Sequence, residues 1–287
     1  MTSTDTVAAA SGTFAIGGEL PVVRLGYGTM QLTGPGVWGP PEDHDEAVRV
    51  LRRAVELGIT FFDTADSYGP VVAEELLAEA LHPYADDVVI ATKAGWTRQG
   101  PGQWTMLGQP AYLRQQVELS LRRLRVESID LFQLHRIDPA YPLEDQVGEL
   151  RAMQEEGKIR HLGLSEITVE QLEAARAVAP IATVQNRFSL GTRTADDLLA
   201  RCTELGIGFI PWRPVKDHLD DGGVLQEVAA AHDASVTQVA LAWLLQLSPV
   251  VLPIPGTSRV AHLEENTAAA GLTLTDDEVA RLGTLAG

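Results

Sequence analysis

The chain has 287 residues, 45% of them hydrophobic, and 22 Lys and Arg against 39 Asp and Glu give a formal charge of −17. That charge disfavours a nucleic-acid partner, because phosphate contact needs a basic surface, and it obliges any phosphate-bearing ligand to find a local basic pocket. The length allows one large core, and the single cysteine, Cys202, excludes an internal disulfide framework.

Met1 to Gly12 lacks the basic and apolar regions of a signal peptide and reads as a disordered tail ahead of one domain over 13–287. A hairpin follows from Thr13 to Val23, turning at Gly17-Gly18. Eight short apolar runs then read as strands buried on both faces: Val23 to Tyr27, 59–62, 88–92, 129–134, 159–164, 181–184, 207–210 and 250–254. Helical periodicity fills the gaps. Ala47, Val48, Leu51, Ala54, Val55 and Leu57 form one stripe within 43–57, stopped by Gly58. Thr168 with Gln171, Ser235 with Gln238, and Thr275 with Glu278 match capping boxes. Helices at 235–247, beside 221–232, and at 275–285 are additional to the repeat. Alternation of this kind favours the α/β class and a (β/α)8 barrel over a doubly wound sheet. Cys202, in a helical stretch from Leu198 to Leu205, reads as a small buried apolar residue. The most apolar helical stretch, Val239 to Leu247, is too short for a bilayer, so a cytoplasmic protein without a membrane partner is expected.

A barrel gathers reactive groups at the C-terminal ends of its strands, and every strand end here is polar or conformationally special. The second, third and fourth runs end at Asp63, Lys93 and His135, with Tyr68 five residues after Asp63. The others end at Gly28-Thr29-Met30-Gln31, Ser165, Gln185-Asn186, Pro211-Trp212 and Pro255-Gly256-Thr257-Ser258-Arg259. Reduction of a carbonyl leaves an alkoxide that must be protonated. A tyrosine can give that proton, but its pKa of about 10 is high for exchange near neutrality. A neighbouring ammonium lowers it, an aspartate holds the ammonium, and a histidine can hydrogen-bond the carbonyl oxygen. Tyr68, Lys93, Asp63 and His135 fit those roles in turn. The other reading is a buried Asp–Lys pair with a bystander tyrosine and histidine.

Gly34 to Gly39 matches G-x-G-x-x-G, but the dinucleotide fingerprint joins a strand directly to a helix. Here Pro40-Pro41 intervene, so the segment reads as a long loop over the mouth, with Trp38 as a substrate-contacting aromatic. Gly256-Thr257-Ser258-Arg259, at a helix start with His262 one turn on, is a better phosphate cradle; a simple capped helix start is the alternative. Trp212 can stack on a flat ring or belong to the core.

Together these residues resemble the aldo-keto reductase family. The matching pieces are Phe62-Asp63-Thr64-Ala65 with Tyr68-Gly69, Thr92-Lys93, Leu134-His135, Gly163-Leu164-Ser165, Gln185-Asn186, and Ile254 to Ser258 through Leu263-Glu264-Glu265-Asn266, covering nearly the whole chain from about Thr13. The resemblance implies a (β/α)8 barrel that binds NADPH/NADP+ without a Rossmann fold, and a catalytic tetrad of Asp63, Tyr68, Lys93 and His135. It further implies that Ser165, Gln185 and Asn186 hold the nicotinamide, that Trp212 stacks on it, and that Thr257, Ser258, Arg259, Glu265 and Asn266 hold the adenosine end. The strand-end residues Gly28, Thr29, Met30, Pro255 and Gly256 and the nearby His262 are counted with this cofactor site. The stacking position is often tyrosine in the family, and Gly256 stands where some members carry lysine, leaving Arg259 and His262 as the basic groups for a 2′-phosphate. Within the family, Gly26 to Gly36 and Ala240 to Gln246 are similar to the bacterial pyridoxal reductases.

The expected activity is therefore NADPH-dependent reduction of an aldehyde or ketone, pyridoxal to pyridoxine being one case. The alternatives are a broad-specificity carbonyl reductase of secondary metabolism, a non-catalytic NADPH-binding subunit or sensor, and a barrel hydrolase using Asp63 with Asp66 or Glu166. Specificity is expected in the loops 32–41, 95–109 and 213–220, with Trp38, Trp96, Trp104 and Arg136 as pocket walls. No metal site is expected. The partner is a small-molecule carbonyl compound, and a monomer is compatible with the sequence.

Overall fold

The computed structural model describes residues 6–215 and 223–285. In chain order, β1 (Thr13–Ile16) and β2 (Leu20–Val23) form an antiparallel hairpin, followed by β3 (Tyr27–Gly28), α1 (His44–Glu56), β4 (Phe61–Asp63), α2 (Val72–Leu81) and β5 (Val89–Ala94). A second hairpin, β6 (Trp96–Gly100) and β7 (Gln103–Met106), precedes α3 (Pro110–Leu124), β8 (Ile129–Leu134), α4 (Leu143–Glu155), β9 (Ile159–Ser165), α5 (Val169–Arg176) and β10 (Ile181–Arg187). The chain ends with α6 (Asp196–Leu205), β11 (Gly208–Trp212), α7 (Val224–Ala231), α8 (Val236–Leu247), α9 (Val260–Ala268) and α10 (Asp276–Gly283).

Seven strands pair in parallel in the order β3-β4-β5-β8-β9-β10-β11. The eighth expected strand, 250–254, closes the barrel without forming a regular strand. Phe209 N–H donates to Val250 O and Leu252 N–H to Phe209 O, both at 2.8 Å, while Gly26 N–H donates to Pro253 O at 2.9 Å. Pro253 and Pro255 have no N–H to offer a ladder, which is why this stave reaches both neighbours with so few bonds. The first expected strand also contracts, because Val23 is taken by the β1–β2 hairpin.

Strand alternation sorts the side chains. Phe61, Val89, Ala91, Leu131, Ile210 and Leu252 share an apolar cluster inside the barrel with Ile16, Leu20 and Val22 of the first hairpin, which therefore plugs one end. Phe62, Ile90 and Phe132 point outward into clusters under the helices. Inward residues two steps beyond Phe61, Ala91 and Leu131 are Asp63, Lys93 and Gln133, so the polar site begins where the apolar filling stops. The capping boxes at Thr168, Ser235 and Thr275 form as expected. Cys202 is buried and free, and burial raises its thiol to about 12.

The expectation of a disordered tail over 1–12 is corrected from Val7 onward. Val7–Ser11 forms a 3-10 helix whose Ala8 is buried and donates its N–H to Leu57 O at 3.0 Å; residues 1–5 lie outside the described ones. Among the described residues, no single helix is long and apolar enough to cross a membrane.

Arg24 clasps the closure. Its Nη2 donates to Leu245 O and Ser248 O at 2.6 Å, its Nε to Val251 O at 3.3 Å and its Nη1 to Ser11 O at 3.4 Å. Arg24→Ala should lower unfolding free energy in urea by about 2–3 kcal/mol, because partly buried carbonyls lose charge-assisted donors; a loss below about 0.5 kcal/mol would show that the clasp adds nothing to closure.

Candidate active site

Lys93 has no exposure to solvent. Its Nζ donates to Asp63 Oδ1 at 2.5 Å and to Thr64 O at 2.8 Å. The second oxygen of Asp63 accepts Gln133 Nε2 at 3.0 Å and Gln185 Nε2 at 2.9 Å. Donors from β5, β8 and β10 thus converge on one carboxylate at the end of β4. The Lys93 ammonium also lies 5.2 Å from the Tyr68 ring centroid. Tyr68 meets His135 edge to face, centroids 5.9 Å apart, and His135 Nδ1 lies 3.5 Å from Ser67 Oγ. Asp63, Lys93 and His135, expected from their strand-end positions, and Tyr68, from the loop after Asp63, are brought together.

The electrostatics correct one expectation. Burial raises the Tyr68 phenol above its ordinary value, and the Lys93 charge only offsets part of that rise. Burial works to lower Lys93, but Asp63 and then Tyr68 outweigh it and the net shift is upward. Burial, then the charges of Lys93 and Arg136, push His135 well below its ordinary value, so its imidazole is neutral at pH 7. Lys93 therefore keeps Tyr68 from rising further instead of bringing it toward neutrality.

Asp63, Tyr68 and His135 open onto a cavity of about 580 Å³, with Lys93 buried behind them. Trp96, Trp104 and Arg136 line it as expected, with Val37 and Arg213 in addition. Trp38 does not; its ring packs toward the Arg98 guanidinium, 5.7 Å away, and the chain offers Val37 to the cavity instead. The loop 95–109 is a hairpin that sequence periodicity missed, and Arg98 explains its order. Arg98 donates to Gln103 O (2.9 Å), Val37 O (2.6 Å), Ser67 O (2.7 Å), Gly36 O (2.8 Å) and Gly100 O (3.4 Å), and its guanidinium lies 3.6 Å from the Trp104 ring centroid. One side chain thereby joins the 34–39 loop, the loop carrying Tyr68 and the hairpin. The glycines of that first loop serve this packing, Gly36 having a positive φ of 71° against Pro101-Gly102. Part of the loop 213–220 lies outside the described residues.

Gly28, Met30, Ser165, Gln185, Trp212, Pro255 and Gly256 line the same cavity. Thr29 lies behind it, fully buried, with its hydroxyl 3.2 Å from Asp63 O. Asn186 departs from expectation, since its amide bonds Ile167 N and O at 3.2 and 3.0 Å and the residue lies off the cavity wall. Trp212 Nε1 donates to Glu166 Oε1 at 2.6 Å, which fixes the indole. Thr257, Ser258, Arg259, His262, Glu265 and Asn266 extend beyond Gly256 and along α9. A Cβ at Gly256 would lie 2.6 Å from Gly28 O, so side-chain-free backbone joins this segment to the first strand end. Thr257 Oγ1 accepts Arg259 N–H at 3.2 Å, and Glu46 of α1 accepts Val260 N–H at 3.0 Å, a cap that local sequence did not reveal. Ser258, Arg259 and His262 are exposed.

Neither Asp66 nor Glu166 reaches the cavity wall. Asp66 is buried near Glu74 and Arg123, and burial followed by the Glu74 charge raises it well above the usual carboxylate range. A second carboxylate for hydrolysis is therefore missing from the described wall.

The sequence of the chain matches the Aldo/keto reductase family over residues 24–286. The chain belongs to the aldo-keto reductase family. It is 49% identical over 277 residues to an uncharacterized oxidoreductase of Schizosaccharomyces pombe, covering 96% of this chain and 90% of that one. It is 42% identical over 279 residues to pyridoxine 4-dehydrogenase of Escherichia coli, covering 95% and 97%. Among solved structures, a glycerol dehydrogenase from Gluconobacter oxydans superposes with a TM-score of 0.84 at 30% identity, covering 96% of this chain and 95% of that one. An aldo/keto reductase from Klebsiella pneumoniae in complex with NADP and acetate gives 0.81 at 28%, covering 95% and 94%. The chain is thus an oxidoreductase built on the reductase barrel.

Arg98→Ala should raise the rate of limited proteolysis within 96–106 by about tenfold or more, since the hairpin loses its cross-loop donors. An unchanged cleavage rate would show that its own ladder suffices.

Proposed function

We propose that the protein reduces an aldehyde or ketone to the alcohol, with NADPH as reductant and Tyr68 as proton donor. The observation that carries this reading is a fully buried Lys93 held by Asp63 beside Tyr68, at a cavity whose wall runs on to Gly28 and Gly256. The wall fits a dinucleotide: Trp212 offers an anchored ring face, Ser165 and Gln185 offer polar groups, and Gly256 leads to the exposed Ser258, Arg259 and His262. The bound dinucleotide supplies the hydride. The solved Klebsiella pneumoniae relative with NADP supports this cofactor, and Arg259 with His262 favours the 2′-phosphate form.

Neutral His135 has one N–H to donate to the carbonyl oxygen, polarising it. Tyr68 holds the proton that the developing alkoxide takes, and the Lys93 ammonium stabilises the phenolate left behind. Similarity to pyridoxine 4-dehydrogenase favours pyridoxal as a substrate. The shared stretch Gly26 to Gly36 contributes Gly28, Met30 and Gln31 to the cavity, whereas Ala240 to Gln246 is inside α8 and speaks only to the core. A single buried cysteine suits the reducing cytoplasm as the place of action.

Tyr68→Phe should reduce kcat for pyridoxal or a nitrobenzaldehyde by about 10²–10⁴-fold while NADPH still binds; a near-full rate would remove Tyr68 from the chemistry. A pH profile supplies a second test. Because Tyr68 is raised, the reduction rate should persist through neutrality and fall only as pH climbs past about 10. Because His135 is lowered, no step should occur near its ordinary value of 6.5. A transition there would contradict a neutral His135.

A further inference from the structure

Among the charged side chains of the described residues on the cavity wall, Asp63 is matched by Lys93 and His135 is neutral, which leaves Arg136 and Arg213. The described wall of an acidic chain of charge −17 thus carries net positive charge. Arg136 is the more constrained of the two. Its Nη1 donates to His135 O at 2.5 Å and Ser165 Oγ at 3.0 Å, and its guanidinium lies 5.5 Å from the Trp96 ring centroid. Its Nε and Nη2 have no hydrogen-bond acceptor among the described residues. A carboxylate that acts on it, Glu166, forms no salt bridge with it and is engaged by Trp212 Nε1 and Arg187 N–H, both at 2.6 Å.

The cofactor's phosphates do not account for Arg136. Arg136 follows β8, the fourth stave of the barrel, whereas the Gly256–Arg259 cradle follows the eighth. In a closed ring of eight staves those two ends face each other across the mouth. Arg136 instead adjoins His135 in the chain, beside the groups that handle the carbonyl oxygen. A half-buried guanidinium with fixed orientation and unmatched donors recognises an anionic oxygen.

We propose that Arg136 binds an anionic oxygen carried close to the reacting carbonyl, so that preferred substrates are aldehydes or ketones bearing a neighbouring phenolate or carboxylate. This rests on the reading of the site as a carbonyl reductase. Pyridoxal has the required feature, its ring hydroxyl being ortho to the aldehyde.

The test compares kcat/KM, by chromatography of the alcohol formed with NADPH, within matched pairs. For the phenolate arm the pair is 5-nitrosalicylaldehyde and its neutral 2-methoxy analogue; for the carboxylate arm it is phenylglyoxylate and its methyl ester. The wild-type protein should favour the anionic member of at least one pair by about tenfold or more. Arg136→Met should bring that ratio to within about twofold of unity, and Arg136→Lys should restore part of it. Because the readout is a ratio, a general loss of rate in either variant cancels. Calorimetry of the protein with salicylate and with salicylamide gives a readout without turnover, and only the anion should bind more weakly to Arg136→Met. A wild-type ratio near one in both pairs overturns the proposal, as does a ratio unchanged in Arg136→Met or a variant whose main defect is weaker NADPH binding. Turnover of 3-nitrobenzaldehyde by the wild-type protein tests the reductase reading separately. If it is present while the ratios are flat, the substrate inference alone falls.

Discussion

A charged lysine with no access to water sets the terms for the rest of the barrel mouth. An isolated ammonium in such a place would lose its proton or unfold its surroundings. Here Asp63 and Thr64 O take up Lys93, and the aspartate is itself satisfied on its other oxygen by Gln133 and Gln185. The arrangement requires β4, β5, β8 and β10 to lie in one register, because each supplies a group to the same carboxylate. Removing any one donor would leave a buried acceptor short of its partner, so the chemistry of the site and the closure of the sheet constrain each other. Gln133 is the inward residue next after Leu131, at the height where apolar filling gives way to this network.

Above the network, order depends on a second cation used in a different way. Among the described residues Arg98 bonds no carboxylate; its donors go to backbone carbonyls from three loops, and its flat face lies on Trp104. Loops of this length seldom have a core of their own. A guanidinium between indoles and carbonyls gives them one, and it holds Ser67, the neighbour of Tyr68, by its carbonyl oxygen. Lys93 thus fixes the electrostatics of the phenol from below, and Arg98 fixes the path of its loop from the side.

Strand ends were legible because a buried parallel strand is a nearly unbroken apolar run, and Asp63, Lys93 and His135 interrupt three such runs at their C-terminal ends. The resemblance added the order of the remaining pieces. What was hidden depends on contacts between residues far apart in the chain. Gln133 sits inside an apolar run and becomes visible only when its side is known. The β6–β7 hairpin is polar and rich in Gly and Thr, without a period-2 apolar pattern, since Arg98 and the tryptophans order it. Glu46 reaches Val260 across 214 positions of the chain. Asn186 looked like a pocket amide by position, yet pairs with the Ile167 backbone. The eighth stave has the apolar content of a strand, and its prolines limit it to a few bonds.

The titration behaviour of the site follows from one cause acting on groups of opposite type. Burial disfavours whichever form is charged, so it raises a phenol and lowers an imidazole. Tyr68 is therefore held protonated and His135 neutral over the same broad range of pH. Lys93, raised by Asp63 and Tyr68, stays positive across that range and is a poor source of the proton itself. In the proposed reduction, Tyr68 is the one of these three groups that would pass on a proton and have the charge it leaves stabilised at once. His135 cannot compete, because a neutral imidazole that gives up its N–H becomes an anion far less stable than a phenolate beside an ammonium. On that proposal the division of labour between donor and polarising group comes from depth in the barrel, and Lys93 decides which anion the site would hold.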